Sequence, residues 1–312
     1  MTTIIYRVTL CLLLLSLATP IFGEAEISPA DVFAKSKELE TMVERIRFHM
    51  GIPRTESLRL KIKNAQPHDV FFQAQTLFNK TNRLLFQVVR TKLPRPEIAQ
   101  NIYRPQDVLK LVQAAEKNLK LIINELKLSP NVDPVTTITT EISPSDVFLT
   151  IQGLNRQVNL LLSTPFSPSD VYMQVTLAIG YGAKQLARFP ELPRIPDPAE
   201  VAPGRIPRDV YFLLLDGLER LQDIYEQRGL SSLEVDTKLL LEQNITPSDV
   251  FDIASLLVAR LDFLHKHNKI ELLPRNPFYP GRVYPTDVYR QTSILLSQLE
   301  MLTKQFSKSH NR

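Results

Sequence analysis

Eight aspartates stand in one frame along this chain: Asp31, Asp69, Asp107, Asp146, Asp170, Asp209, Asp249 and Asp287 each lie two residues after a proline and directly before a valine. In seven of the eight copies an aromatic ring follows, as in Phe33, Phe71, Phe148, Tyr172, Tyr211, Phe251 and Tyr289. Carboxylates paired with rings and gathered at one end of a helix array would make a rim able to hold a cationic ligand or a partner's basic side chains. The same carboxylate can instead cap its own helix while the ring packs on a neighbouring segment. The copies nearest the middle of the chain supply the candidate residues Asp146, Asp170, Tyr172, Asp209 and Tyr211. Tyr181 and Gln185 join them, because Gly180-Tyr181-Gly182 interrupts the fifth repeat. Glycine inside a helix costs on the order of 1 kcal/mol, so the exception calls for a compensating contact. That contact is either a cleft where a ligand or partner approaches the backbone, with Tyr181 and Gln185 at its wall, or a close helix crossing in which Gly217 also takes part.

Other constellations are absent from the sequence. His265 and His267 are two apart, which on a helix points them to different faces, and both are expected to be solvated. No Gly-x-Ser-x-Gly elbow, phosphate loop, dinucleotide fingerprint or His-Glu-x-x-His segment occurs. The one cysteine, Cys11, falls in the N-terminal apolar stretch, so the chain beyond it offers no thiolate for catalysis, zinc or disulfides. No catalytic residue, metal ligand or cofactor is assigned.

The aspartates are positioned by helices. Ser28, Ser143, Ser167 and Thr246 occupy N-cap positions, with Pro at the first helical residue and Asp at the third, facing the positive end of the helix dipole. Counting Pro as position 1, positions 4, 8, 11, 15 and 18 form one helical face, and 34 of the 40 such residues are Ala, Val, Ile or Leu. A strand cannot generate that spacing. The reading is all-α: eight long amphipathic helices, each about 22 residues or roughly 33 Å long, from an internal repeat of about 38 residues.

The prolines are 38, 38, 39, 24, 39, 40 and 38 residues apart. The short interval divides the chain into a first four-helix half, residues 24–163, and a second, residues 164–312, packed as bundles or as a short solenoid. Helices four and five, joined only by residues 163–167, are expected to be antiparallel. The other connectors are long enough to return along a helix, so helices within a half are free to run parallel. Several contain Leu/Ile-Pro-Arg (at Pro53, Pro94, Pro193 and Pro274) and are expected to lie ordered against the helices, and the connector 231–244 is expected to form a short helix. The period is similar to that of tetratricopeptide and HEAT solenoids, but the tetratricopeptide Trp-x-x-Leu-Gly element is missing and no family is assigned.

Residues 1–23 have the basic start, apolar run and small residues of a secretory signal peptide, with Pro20 closing the run short of membrane-spanning length. A periplasmic or secreted protein without a stable membrane span after cleavage is therefore expected. The 37 basic and 33 acidic side chains are interspersed, which argues against nucleic acid as a partner. The functional expectation is a non-catalytic helical-repeat scaffold or binding module that engages another protein. The alternative is a carrier or sensor that holds a small amphipathic ligand between the halves, and an enzyme is the third reading.

Overall fold

The computed structural model describes residues 26–54, 61–98, 103–129, 141–236 and 245–310. The signal-peptide segment with Cys11, the Leu239–Leu241 stretch and Asn244 lie outside the described residues. Among the described residues there are eight helices: α1 (Pro29–His49), α2 (Pro67–Val89), α3 (Pro105–Glu125), α4 (Pro144–Leu161), α5 (Pro168–Leu186), α6 (Pro207–Gln227), α7 (Pro247–His267) and α8 (Pro285–His310). Two three-residue strands, β1 (Lys61–Lys63) and β2 (Glu234–Asp236), complete the elements. The protein is all-α, as the spacing of its apolar residues requires. Where it is described, the connector expected to hold a short helix instead forms β2, in which Val235 pairs with Ile62 across the ladder.

Each helix starts the way its sequence dictates. In all eight copies the N-cap backbone N–H donates to Oδ2 of the repeat aspartate, at 2.8–3.1 Å. Ser28, Ser143, Ser167 and Thr246 return the bond through their hydroxyls. Gln66, Arg104, Ile206 and Tyr284 do not, so at those starts the aspartate is the only side-chain cap. All forty stripe positions are buried, including the polar exceptions Ser36, Thr81, Gln185 and Thr292 and the two glycines.

The helices pack in two rings. In the first, α1 and α2 each lie between α3 and α4; in the second, α5 and α6 each lie between α7 and α8. Pro29, Pro67, Pro105 and Pro144 surround one small hollow together with the four valines at position 4, and the corresponding residues of α5–α8 surround another. Four helix starts at one end mean four parallel helices in each ring. Parallel packing gathers four positive dipole ends of about half a charge each, and the four aspartates beside them more than offset that charge. The repeat aspartate is thus required by the bundle as well as by its own helix.

Parallel neighbours need connectors that travel back the length of a helix, and these connectors are pinned. Along α8, the α5–α6 connector meets Gln298 at Arg194, Ser293 at Ala199 and Thr286 at Arg205, running toward the helix start. The α7–α8 connector descends α5 from Gly180, beside Pro274, to Ser169, whose hydroxyl donates to the Gly281 carbonyl at 2.6 Å. Asn82 holds Leu93 by both its N–H and its carbonyl, each at 2.9 Å.

The rings meet through α2 and α7, with α4 also touching α7. Asp69 near the start of α2 faces Arg260 late in α7 at 3.7 Å, and Lys80 farther along α2 pairs with Asp252 near the start of α7. The two helices are therefore antiparallel, and so are the two bundles. Lys80 and Arg260 are both the fourteenth residue of their helices, so each central helix sends a cation toward the other's N-terminal acids. Strands β1 and β2, one from each half, pair antiparallel with Lys61 opposite Asp236.

Candidate functional site

Between the bundles lies a cleft of about 990 Å³, walled by α2 and α5, lined also by α7 and bordered by the α2–α3 and α7–α8 connectors. At one end Phe166 stacks on Phe251 with centroids 3.9 Å apart, and the Arg83 guanidinium lies 4.5 Å over the Phe166 ring. Toward the other end Tyr103 closes on Phe71 and Phe72 at 4.6 and 5.4 Å. The helix repeat explains the first of these positions. Phe71 and Phe251 are the rings that follow the repeat Asp-Val, and α2 and α7 bury a second face beyond their core stripe because each sits between two bundles.

A polar chain crosses the cleft beside Tyr103. The Tyr181 hydroxyl donates to Asp262 Oδ1 at 2.9 Å, Lys266 Nζ lies 2.7 Å from Asp262 Oδ2, and the same ammonium donates to the Tyr103 hydroxyl at 3.3 Å. Burial, reinforced by the Asp262 charge, pushes the Tyr181 hydroxyl well above its ordinary value, so it stays a donor at physiological pH. Burial opposes the Lys266 charge, but the hydrogen bond and charge of Asp262, together with Tyr103, outweigh it and hold the ammonium above its usual range. Arg95 donates to Gln75 at 3.1 Å at the edge of the cleft and makes no ion pair among the described residues. This arrangement offers apolar rings, fixed donors and a partly free cation. Its one imidazole, His265, is held toward the neutral form by burial.

The candidate residues are distributed rather than gathered. Asp146, Asp170 and Asp209 cap their own helices at 2.9, 2.8 and 3.1 Å, and only Asp170 meets a further charge, Arg83 at 3.8 Å. Because the bundles are antiparallel, Asp146 belongs to one ring of helix starts and Asp170 and Asp209 to the other, so no common rim joins them. Tyr172 packs half-buried against the core of its own bundle. Tyr211 is buried and borders a different cavity. Of the seven, Tyr181 alone lines the cleft. Gln185 is fully buried, accepts from Asn268 Nδ2 at 2.9 Å and is absent from the cleft wall.

Gly182 and Gly217 answer to helix crossings, and Gly180 to the close approach of the α7–α8 connector. A Cβ on Gly182 would stand 2.4 Å from Gln298 Oε1, and one on Gly180 would stand 2.8 Å from Pro274 Cβ. Gln298 in turn donates from Nε2 to the carbonyls of Ile179 and Arg194, at 3.2 and 2.6 Å, and so stitches α5, α8 and a connector together. Gly217 has Leu296 and Leu257 at 3.4 and 3.5 Å, close to ordinary contact.

His265 departs from expectation. It is buried edge-on to Tyr181, with centroids 5.4 Å apart, rather than solvated, because the α7–α8 connector turns back over the end of α7. His68 likewise stacks on Phe263 at 3.9 Å and 5°. The ion pairs between the bundles escaped the sequence reading, since Lys80 and Asp252 are 172 residues apart. Their one local signal is a cation at position 14 of both helices, set in an apolar stretch at Ala259-Arg260-Leu261 but in a polar one at Asn79-Lys80-Thr81.

No group of three or more His, Cys, Asp or Glu side chains able to hold a metal ion occurs among the described residues, and no described helix is long and apolar enough to cross a membrane. Neither a protein-family model, nor a curated protein, nor a solved structure matches the chain.

Proposed function

We propose that the protein is a non-catalytic binding module that holds a small amphipathic molecule in the cleft between its two bundles. The observation that carries this reading is the cleft itself: about 990 Å³, with aromatic surfaces at both ends and the Tyr181–Asp262–Lys266 chain and Arg95 among them. Small-molecule sites are commonly clefts of this size, and a lining that is about half ring and aliphatic surface and half polar side chains suits an amphipathic occupant. The leader-like residues 1–23 support delivery to the periplasm or the medium. The neutral fluorescent amphiphile N-phenyl-1-naphthylamine tests the reading. Its emission rises and shifts to the blue on titration with the protein, and Ser255→Trp, which fills the cleft from α7, weakens binding at least tenfold, about 1.4 kcal/mol. Absence of any enhancement, or equal enhancement with Ser255→Trp, defeats it.

A second reading, a scaffold that engages another protein, is favoured by one feature of the α7–α8 connector. Phe278 is 94% exposed and Tyr279 65% exposed between Pro277 and Pro280, a rigid display of the residue types that anchor interfaces. Crosslinking from a photoreactive residue at position 278 in the source cell captures a defined partner under this reading and only lipid or solvent otherwise.

A further inference from the structure

A second cavity, of about 640 Å³, lies on α1, α4, α6 and α7 and shares no lining residue with the aromatic cleft. Three residues of its lining carry buried polar atoms with no hydrogen-bond partner in the protein: the Tyr211 hydroxyl, Arg156 Nη1 and Gln157 Oε1. Tyr211 is only 1% exposed. An unpaired buried polar group costs on the order of 1–3 kcal/mol, and three of those found among the described residues lie around this one hollow. The space is far larger than a single bridging water needs.

The charges in the lining narrow the occupant. Lys37 pairs with Glu40 at 2.7 Å, Arg54 with Glu44 at 3.0 Å and Arg156 Nε with Asp249 at 3.5 Å, while Asp252 is taken by Lys80. Every acid and base of the lining is already compensated, so the cavity has no net charge to offer an ion. The buried polar atoms left without partners are one donor, one acceptor and one hydroxyl that can be either. Hydroxyl groups of a ligand answer all three, because each can donate and accept. Gly153 leaves its part of the wall bare, with nothing within 4 Å of where a Cβ would stand.

We infer that this cavity is a binding site for a neutral polyhydroxylated ligand, a short oligosaccharide, held by Tyr211, Arg156 and Gln157. The site shares no lining residue with the amphiphile cleft, although the Lys80–Asp252 pair joins a wall of each, and the two are separable in one preparation.

The test is isothermal titration of the full chain with maltotriose and with triacetylchitotriose. One of the two gives saturable binding. Tyr211→Phe, which removes an unpartnered hydroxyl and leaves the fold intact, weakens it several-fold. Gly153→Phe fills the cavity from a strain-free helical position and weakens it at least tenfold, while N-phenyl-1-naphthylamine binding and thermal unfolding stay as in the parent. Absence of saturable heat with both sugars means the cavity holds water only and overturns the inference. Sugar binding that survives Gly153→Phe in a folded variant places the site elsewhere and overturns it equally.

Discussion

Replacing Gly182 by alanine probes how the second bundle is held together. In an isolated helix the change is favourable by about 1 kcal/mol. Here the new methyl would sit 2.4 Å from Gln298 Oε1 and 2.9 Å from its Cδ, so the buried amide must move. Moving it breaks the bonds from Nε2 to the Ile179 and Arg194 carbonyls. Ile179 lies within α5, where its carbonyl can still accept from the helix, so its loss is the smaller one; the Arg194 carbonyl and the amide itself are left to find new partners. Buried groups deprived of partners cost about 1–3 kcal/mol each. Against the propensity gain, the net expectation is a destabilisation of about 2–3 kcal/mol. Urea unfolding followed by helical ellipticity gives the difference. Gln298→Ala in the same chain removes the clash, so the double variant is much less destabilised than the sum of the singles. Gly217→Ala is the control, because its new methyl would meet Leu296 at 3.4 Å, and it should be neutral or stabilising. Equal stability of the Gly182→Ala and parent proteins would refute the reasoning.

Further expectations rest on the junction between the bundles. Lys80→Ala leaves the desolvated Asp252 beside Asp249 with only the Asn159 amide as partner, so stability falls by about 3–5 kcal/mol in urea unfolding, and Lys80→Met with Asp252→Leu recovers most of it. Burial pushes the His68 and His265 imidazoles below the ordinary value of 6.5. The unfolded chain then binds protons first as pH falls, so stability present above about pH 6.5 declines below it, by up to about 1.4 kcal/mol per pH unit for each histidine. The decline ends when pH passes the folded-state values, and His68→Phe, measured by urea titrations at a series of pH values, makes it shallower. The backbone and side-chain bonds from Ser28 hold the Asp31 carboxyl below its ordinary 3.8, so its contribution is complete above that value and is lost as pH falls through the lower folded value. Asp31→Asn flattens that acid limb.

Much of the fold was legible because it is set locally. Pro, Asp and Val at fixed places specify a helix start, and the four-three spacing specifies which face is buried, as at Val112, Leu119 and Ile122. The parallel course was readable only as a possibility, from connector length; what fixes it is the pinning of Arg194, Ala199 and Arg205 along α8. The site was far less legible. Asp146, Asp170 and Asp209 drew attention because they recur, yet recurrence reflects a need shared by every helix start, whereas a binding surface is made by what differs between repeats. Tyr181 was visible because it breaks the pattern. Asp262, Lys266 and Tyr103 were not, since their meeting depends on how the two bundles lie against each other, and no local spacing encodes that.

The central claim, parallel helices with their proline-aspartate starts gathered at one end, is tested most directly by a distance between two helix starts. Ile206 and Tyr284 cap adjacent helices α6 and α8 and are 54% and 55% exposed, so cysteines at both positions, with Cys11 replaced by serine, accept spin labels without disturbing the core. Adjacent axes lie about 8–10 Å apart, so electron–electron double resonance should give a label separation below about 20 Å. A separation above about 30 Å, the length of one of these helices, would mean antiparallel neighbours and contradict the account.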